Sequence, residues 1–214
     1  MDIKNYLAAS ILLVSGHANA SLIVNGGFES PIVTDDVLHY EHRNGNELPG
    51  WTLFSTYRGT VQFDTGYAPV SEGLQAVQIE VPGDWISQSF DTIIGREYEL
   101  SFDLSAYPIY GGPNLGYTPC DPICDSVLGV SVGSVSQTFS GSSADYISYS
   151  LLFTAISSTT TLKFENLYSG DGWGNYPHLD NVSVSVVPIP ATIWLFGTAF
   201  IGLARFSKSR NHHG

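Results

Sequence analysis

Short apolar runs with a two-residue period fill the middle of the chain. In Gln75–Val81, Val77, Ile79 and Val81 alternate with Ala76, Gln78 and Glu80, and in Glu97–Leu104 the residues Tyr98, Leu100, Phe102 and Leu104 share one side. Successive side chains of a strand point to opposite faces, so each run predicts a half-buried β-strand. Similar runs cover Thr60–Phe63, Trp85–Phe90, Val127–Val132, Ile147–Thr154, Thr159–Glu165 and Asn181–Val186, with Gly, Pro, Asn and Asp between them. Nothing from Leu22 to Val187 carries an apolar stripe of helical period. Roughly nine strands with no helix between them predict an all-β fold, an antiparallel jelly-roll β-sandwich. The Pro-, Gly- and Tyr-rich stretch Tyr107–Asp125 is expected to be a loop. Trp51 and Trp85, in or beside strands, are expected in the core.

The two ends depart from this pattern. Lys4 precedes an uncharged apolar run, Leu7–Val14, and then Ala18-Asn19-Ala20. A basic start, a short apolar core and an A-x-A site predict a cleaved signal peptide over residues 1–20. At the other end Val187-Pro188-Ile189-Pro190 leads into an uncharged segment, Ala191–Ala204, and then Arg205, Lys208 and Arg210. As a helix that segment is about 21 Å long, short of a hydrocarbon core of about 30 Å, with Phe206 and the snorkelling arms of Arg205 and Lys208 to extend it. The basic cluster predicts a cytoplasmic C-terminus, residues 211–214, and places the body, residues 21–187, outside the inner membrane.

In their order, Val187, Pro188 and Pro190, then Trp194-Leu195-Phe196-Gly197, then the basic end starting at Arg205 resemble a PEP-CTERM sorting signal, here residues 188–210, with Pro-Ile-Pro where the family typically has Pro-Glu-Pro. The resemblance implies an exosortase as partner, cutting near Pro188–Pro190 in an inner-membrane precursor. The product then passes to the cell surface or extracellular matrix of a Gram-negative bacterium.

Composition sharpens once the ends are set aside. The body keeps four basic residues, Arg43, Arg58, Arg96 and Lys163, against 19 acidic ones, a net charge of −15. So acidic a surface excludes binding of a nucleic acid backbone by charge and suits divalent cations or neutral ligands. The two cysteines, Cys120 and Cys124, lie in Pro119-Cys120-Asp121-Pro122-Ile123-Cys124. In an oxidising compartment a local disulfide is the natural reading, since no second Cys or His pair completes a zinc site and the spacing is not that of a redox CxxC.

A second resemblance runs along the body: Asn25-Gly26-Gly27-Phe28-Glu29, Pro49-Gly50-Trp51, Glu72-Gly73-Leu74-Gln75-Ala76-Val77, Ile86-Ser87-Gln88 and Leu179-Asp180-Asn181-Val182. In this order they resemble galactose-binding-like β-sandwiches, which include carbohydrate-binding modules and the choice-of-anchor C proteins. The resemblance implies a structural Ca²⁺, with Asn25, Glu29 and Asp180 at the matching positions. Glu29 follows an expected first strand and Asp180 begins the last, and in a jelly roll those strands can lie side by side. Oxygen-rich turns of this kind are what Ca²⁺ takes, although Asn25-Gly26-Gly27 is also an ordinary turn sequence.

For ligand binding, the Gly-rich stretch Ser169–Tyr176 offers Trp173 to stack on a sugar ring, with Asp171, Asn175 and Tyr176 beside it. Tyr107, Tyr110 and Tyr117 offer a second platform, and an inward-folded Trp173 is the plainer alternative. No Gly-x-Ser-x-Gly, no His-Glu-x-x-His and no recognisable acid–base pair occurs, so the chain is not expected to be an enzyme. His39, His42 and His178 are scattered; the first two could join a metal site, but a solvated loop is the plainer expectation. The sequence thus favours an exported, non-catalytic polysaccharide-binding module. A structural or adhesive matrix protein is the alternative, and a matrix polysaccharide hydrolase the third.

Overall fold

The computed structural model describes residues 20–33, 39–42, 45, 47–56, 60–65, 68–106, 126–168 and 176–188. Ser21–Val187 forms one compact unit. Its described residues contain eleven strands and no helix: β1 His39–His42, β2 Thr52–Phe54, β3 Thr60–Asp64, β4 Gln75–Ile79, β5 Trp85–Asp91, β6 Glu97–Ser105, β7 Ser126–Val132, β8 Val135–Gly141, β9 Ile147–Thr154, β10 Thr159–Asn166 and β11 His178–Val186. They form a six-stranded sheet in the order β1-β3-β4-β11-β6-β9 and a five-stranded sheet in the order β2-β5-β10-β7-β8. Every pairing is antiparallel.

The eight runs read as strands between Thr60 and Val186 are strands, the one expected before Glu29 is not, and three strands are additional. β2 is three residues long and β8 (Val-Ser-Gln-Thr-Phe-Ser-Gly) is mostly exposed, so neither shows an apolar period. β1 corrects the expectation of a loop at His39 and His42, because these residues pair with Phe63 and Thr60 of β3. The opening segment is corrected the other way. Ser21–Phe28 is a chain of bends and turns, tied to β11 by Leu22 N donating to Val184 O (2.8 Å) and Val182 N to Gly26 O (2.9 Å).

The inner faces pack around aromatic rings. Trp51, buried as expected, lies 5.5 Å from Phe28 and 6.2 Å from Phe164 between ring centroids, and Phe102 meets both Phe164 and Phe139 edge-on. Trp85 does not join them. It sits on the outward face of the five-stranded sheet, half-buried, stacked on its cross-strand partner Phe54 at 5.6 Å. Ile86, its neighbour in β5, takes the inward position.

Polar side chains also enter this core. Gln62 Nε2 and Gln75 Nε2 each donate to Phe28 O (2.6 and 2.8 Å) and to Pro31 O (2.8 and 2.9 Å), while Gln75 Oε1 accepts from Val33 N (2.5 Å). Backbone groups buried without partners cost roughly 1–3 kcal/mol each, so the two glutamines let a strandless segment cross the interior. Either glutamine alone still serves both carbonyls. Gln62→Leu is therefore expected to cost about 1 kcal/mol and Gln75→Leu, which also orphans Val33 N, about 2 kcal/mol. The double variant should exceed their sum by about 1 kcal/mol in urea unfolding, the sign of a shared partner.

Candidate functional site

The outer face of the six-stranded sheet is covered over β3 and β4. Phe63, Ala68 and Ala76 form a second small core with Val70 packed against it, so both faces of β4 are buried. Next to it the register places His178 of β11 between Gln78 of β4 and Ser105 of β6, and Asp180 opposite Asp103. Gln78, His178, Ser105, Asp103 and Asp180 are all buried.

The bend Ser71–Gln75 closes over this row and explains three of the sequence motifs at once. Asp180 Oδ2 accepts the N–H groups of Ser71 (2.8 Å) and Glu72 (3.0 Å), and Glu29 Oε1 those of Leu74 (2.7 Å) and Gln75 (3.0 Å). Asp103 Oδ2 accepts from Ser71 Oγ and from Asn181 Nδ2 (3.0 Å). The glycines follow from close approach. A Cβ on Gly26 would strike the carbonyl of Val182, one on Gly27 the Glu72 carboxylate, and one on Gly73 the Glu29 carboxylate, with Gly73 also at φ +59°. Asn181, at φ 51°, sits in the β-bulge between Asp180 and Ser183, where an asparagine tolerates the left-handed region.

Of the three residues matched to Ca²⁺, Glu29 and Asp180 thus flank one bend, while Asn25 faces away from it. Asn25 Nδ2 donates to Ser30 O (2.7 Å) and Pro49 O (3.2 Å), and its Oδ1 accepts from Ser30 N (3.0 Å). Glu72, which sequence reasoning missed as a site residue, stands closer than Asn25 to both carboxylates' loop. Among the described residues no three His, Cys, Asp or Glu side chains converge as a ready-made metal shell. Chemically the bend still suits a cation, because Glu29, Glu72, Asp103 and Asp180 surround it and no Lys or Arg bonds to any of them among the described residues.

Burial raises Asp180 to a pKa of about 7 despite three amide donors, with the Glu72 charge adding to the rise. His178, fully buried with its ring 4.9 Å from Phe63, is pushed down to about 3 by burial and stays neutral. Tyr146 packs its hydroxyl beside Ser105, and burial, with the charge of Asp180 next, pushes its ionisation well above the usual tyrosine range. Among the described residues Ser126 Oγ and Gln78 Oε1 are buried there without hydrogen-bond partners.

These polar groups lie at one end of the sandwich, where three connecting segments attach. Ile79 N donates to Pro177 O (3.1 Å), Leu167 N to Val127 O (2.8 Å), and Asn166 Nδ2 to Ile79 O (2.9 Å) and Glu80 O (3.1 Å). Thr56 N joins the same end through Asp84 Oδ1 (2.8 Å). Segment 57–59 lies between Thr56 and Thr60, segment 107–125 between Ala106 and Ser126, and segment 169–175 between Tyr168 and Tyr176, next to these bonded residues. Trp173, Asp171 and Asn175, the Cys120–Cys124 pair and Tyr107, Tyr110 and Tyr117 fall in them, outside the described residues, as do Pro190, Trp194 and Arg205 of the tail. Tyr176 is described, half-buried, two residues before His178.

A family model matches residues 21–185, that of the proteins of unknown function DUF642. The chain belongs to the DUF642 family. No curated protein matches it by sequence. In structure the DUF642 fold is similar to TmCBM61, solved with β-1,4-galactotriose, at 11% identity and a TM-score of 0.52, covering 79% of this chain and 100% of that one. It is also similar to part of the arabinose-bound α-L-arabinofuranosidase MgGH51, at 15% identity and a TM-score of 0.50, over 80% of this chain and 27% of that one. At such identities the likeness establishes the fold, a β-sandwich shared with carbohydrate-binding modules.

The two shifted groups oppose each other in their effect on stability. Between about pH 4 and 6.5 the unfolded chain binds a proton on His178 that the folded one does not, while the folded chain keeps a proton on Asp180 that the unfolded one loses. Their contributions to the pH slope cancel. Asp180→Asn leaves only the histidine, so stability is expected to fall on acidification through this window, by roughly 1.4 kcal/mol per pH unit at most. His178→Leu leaves only the aspartate, and stability is expected to rise on acidification by a similar amount. Urea midpoints at several pH values should show slopes of opposite sign.

Proposed function

We propose that this DUF642 chain is an exported, non-catalytic module that binds polysaccharide at the cell surface or in the extracellular matrix. The observation that carries the reading is the joining of a carbohydrate-binding-module sandwich to one end where segments 57–59, 107–125 and 169–175 attach beside a row of buried polar groups. The aromatic residues of these segments, Trp173 and Tyr176 first, supply faces for sugar rings, with Asp171 and Asn175 as hydrogen-bonding partners. Residues 1–20 export the chain, the segment 191–204 holds the precursor in the inner membrane, and an exosortase cuts near Pro188–Pro190. A local disulfide between Cys120 and Cys124 pins the loop that carries Tyr110 and Tyr117.

Calcium belongs to the same proposal. Glu29 and Asp180 would hold it, with Glu72 joining in place of Asn25, and its charge would neutralise the acids around Ser71–Gln75. Adding Ca²⁺ is expected to raise the melting temperature, since a ligand of the folded state stabilises that state. Glu72→Gln should weaken the effect, and an unshifted melting temperature at millimolar Ca²⁺ would remove the ion from the proposal.

A glycan array with the mature protein is expected to give defined hits that Trp173→Ala abolishes while its melting temperature is kept. Absence of hits with intact folding would favour the structural or adhesive reading. Turnover of a polysaccharide, lost in Asp103→Asn, would favour the hydrolase. Mass spectrometry of the native C-terminus should find it within Pro188–Pro190, and an intact Gly214 would leave a permanently anchored protein.

A further inference from the structure

The end of the sandwich opposite the polar row has a different chemistry. β6 crosses the body, from Ser105 at the polar end to Glu97 at the other, about 30 Å for a strand of this length. At the Glu97 end two turns lie side by side. Thr92 N donates to Ser158 O (2.9 Å), Gly95 N to Ala155 O (2.8 Å) and Ala155 N to Arg96 O (3.0 Å). From these turns Ile93, Ile94 and Ile156 project into solvent, 60%, 67% and 67% exposed. Three β-branched apolar side chains concentrated on two adjoining turns are not dictated by turn chemistry, which favours Gly, Asn, Asp and Pro.

The chain also leaves the body here. Val187 N donates to Glu97 O (3.0 Å), and at the other terminus Ser21 Oγ accepts from Val184 N (3.4 Å). From Val187 to Ala191, where the uncharged apolar segment starts, are four residue steps, at most about 14 Å of chain. A body tethered so closely to a membrane-embedded segment brings the Glu97 end to the bilayer.

From this we infer that Ile93, Ile94 and Ile156 form a membrane-contacting tip, which seats the anchored precursor on the lipid surface and turns the polar end outward. The inference rests on the reading of residues 191–204 as a membrane segment. The contact is mainly apolar, because the exposed acids Asp91 and Glu97 beside the tip outweigh the partly buried Arg96 of the same turn and leave no net attraction to anionic headgroups. Three isoleucines alone bind lipid weakly. A short tether raises their effective concentration at the surface to the millimolar range, where a weak contact suffices, and cleavage near Pro188–Pro190 removes that advantage and releases the body.

The test uses the full chain reconstituted into vesicles of phosphatidylethanolamine and phosphatidylglycerol, compared with the same protein in detergent. Hydrogen exchange in the turns 92–96 and 155–158 is expected to slow at least fivefold in vesicles, and Ile93→Ser/Ile94→Ser/Ile156→Ser to abolish that slowing without lowering the melting temperature. If the protein stays in carbonate-washed vesicles but the turns exchange as fast as in detergent, the tip is overturned and the anchor stands. If it washes off the vesicles, the membrane-segment reading fails and the inference with it. Slowing that disappears when the protein is diluted in excess lipid would mean that a second copy, not lipid, covers the isoleucines.

Discussion

Four backbone N–H groups of one bend, those of Ser71, Glu72, Leu74 and Gln75, are held by two carboxylates from distant parts of the chain. Asp180 stands in β11, a central strand of the six-stranded sheet, and Glu29 follows the turn that opens the domain. Much else is placed by this clasp. It brings Ala68 and Val70 onto Phe63 and Ala76, which buries the second face of β4, and it sets Gln75 where its amide can serve Phe28, Pro31 and Val33. The arrangement gathers negative charge in a partly dry place, and the consequence is visible in Asp180, raised towards neutrality by its own burial.

The two ends of the body differ in chemistry. On one side of the bend lies the polar row His178, Gln78 and Ser105, at the end where the Tyr- and Trp-bearing segments attach. On the far side lie the isoleucine turns and the exit of the chain at Val187. Antiparallel strands running the full height of the sandwich keep these ends about 30 Å apart, so the sugar contact and the membrane contact proposed above need not compete for surface.

The fold was largely legible in the sequence because half-buried strands alternate. From Thr60 on, every alternating or β-branched run became a strand, whereas the strand expected before Glu29 did not form, and the strands that escaped carry no such signal: three-residue β2, the polar edge strand β8, and β1 with its His and Tyr residues. Trp85 was misplaced because an aromatic residue in a strand fits either face, and its register opposite Phe54, with Ile86 turned inward, sends it outward. In the site, Glu29 and Asp180 were legible as a pair through their flanking motifs. Asp103 and Ser71 were not, because each lies far along the chain from its partner and carries no local pattern of its own, and Glu72, though it opens a motif, shows its place beside Asp180 only in the fold.

The sequence by itself determined the strand content, the acidic body, the buried Trp51 and the distinct chemistry of the two ends, all of which depend on local periodicity and composition. Only the tertiary structure decided that β4 is buried on both faces, that Asn25 faces the backbone of Ser30 and Pro49, and that the glycines of Asn25-Gly26-Gly27 and Glu72-Gly73 serve close approach. It also decided that three isoleucines from separate turns share one end with the departing chain. Alternation specifies which side of a strand is apolar. What comes to lie against the other side depends on contacts between residues about 100 positions apart, as Ser71 is from Asp180, and no local pattern encodes such a pairing.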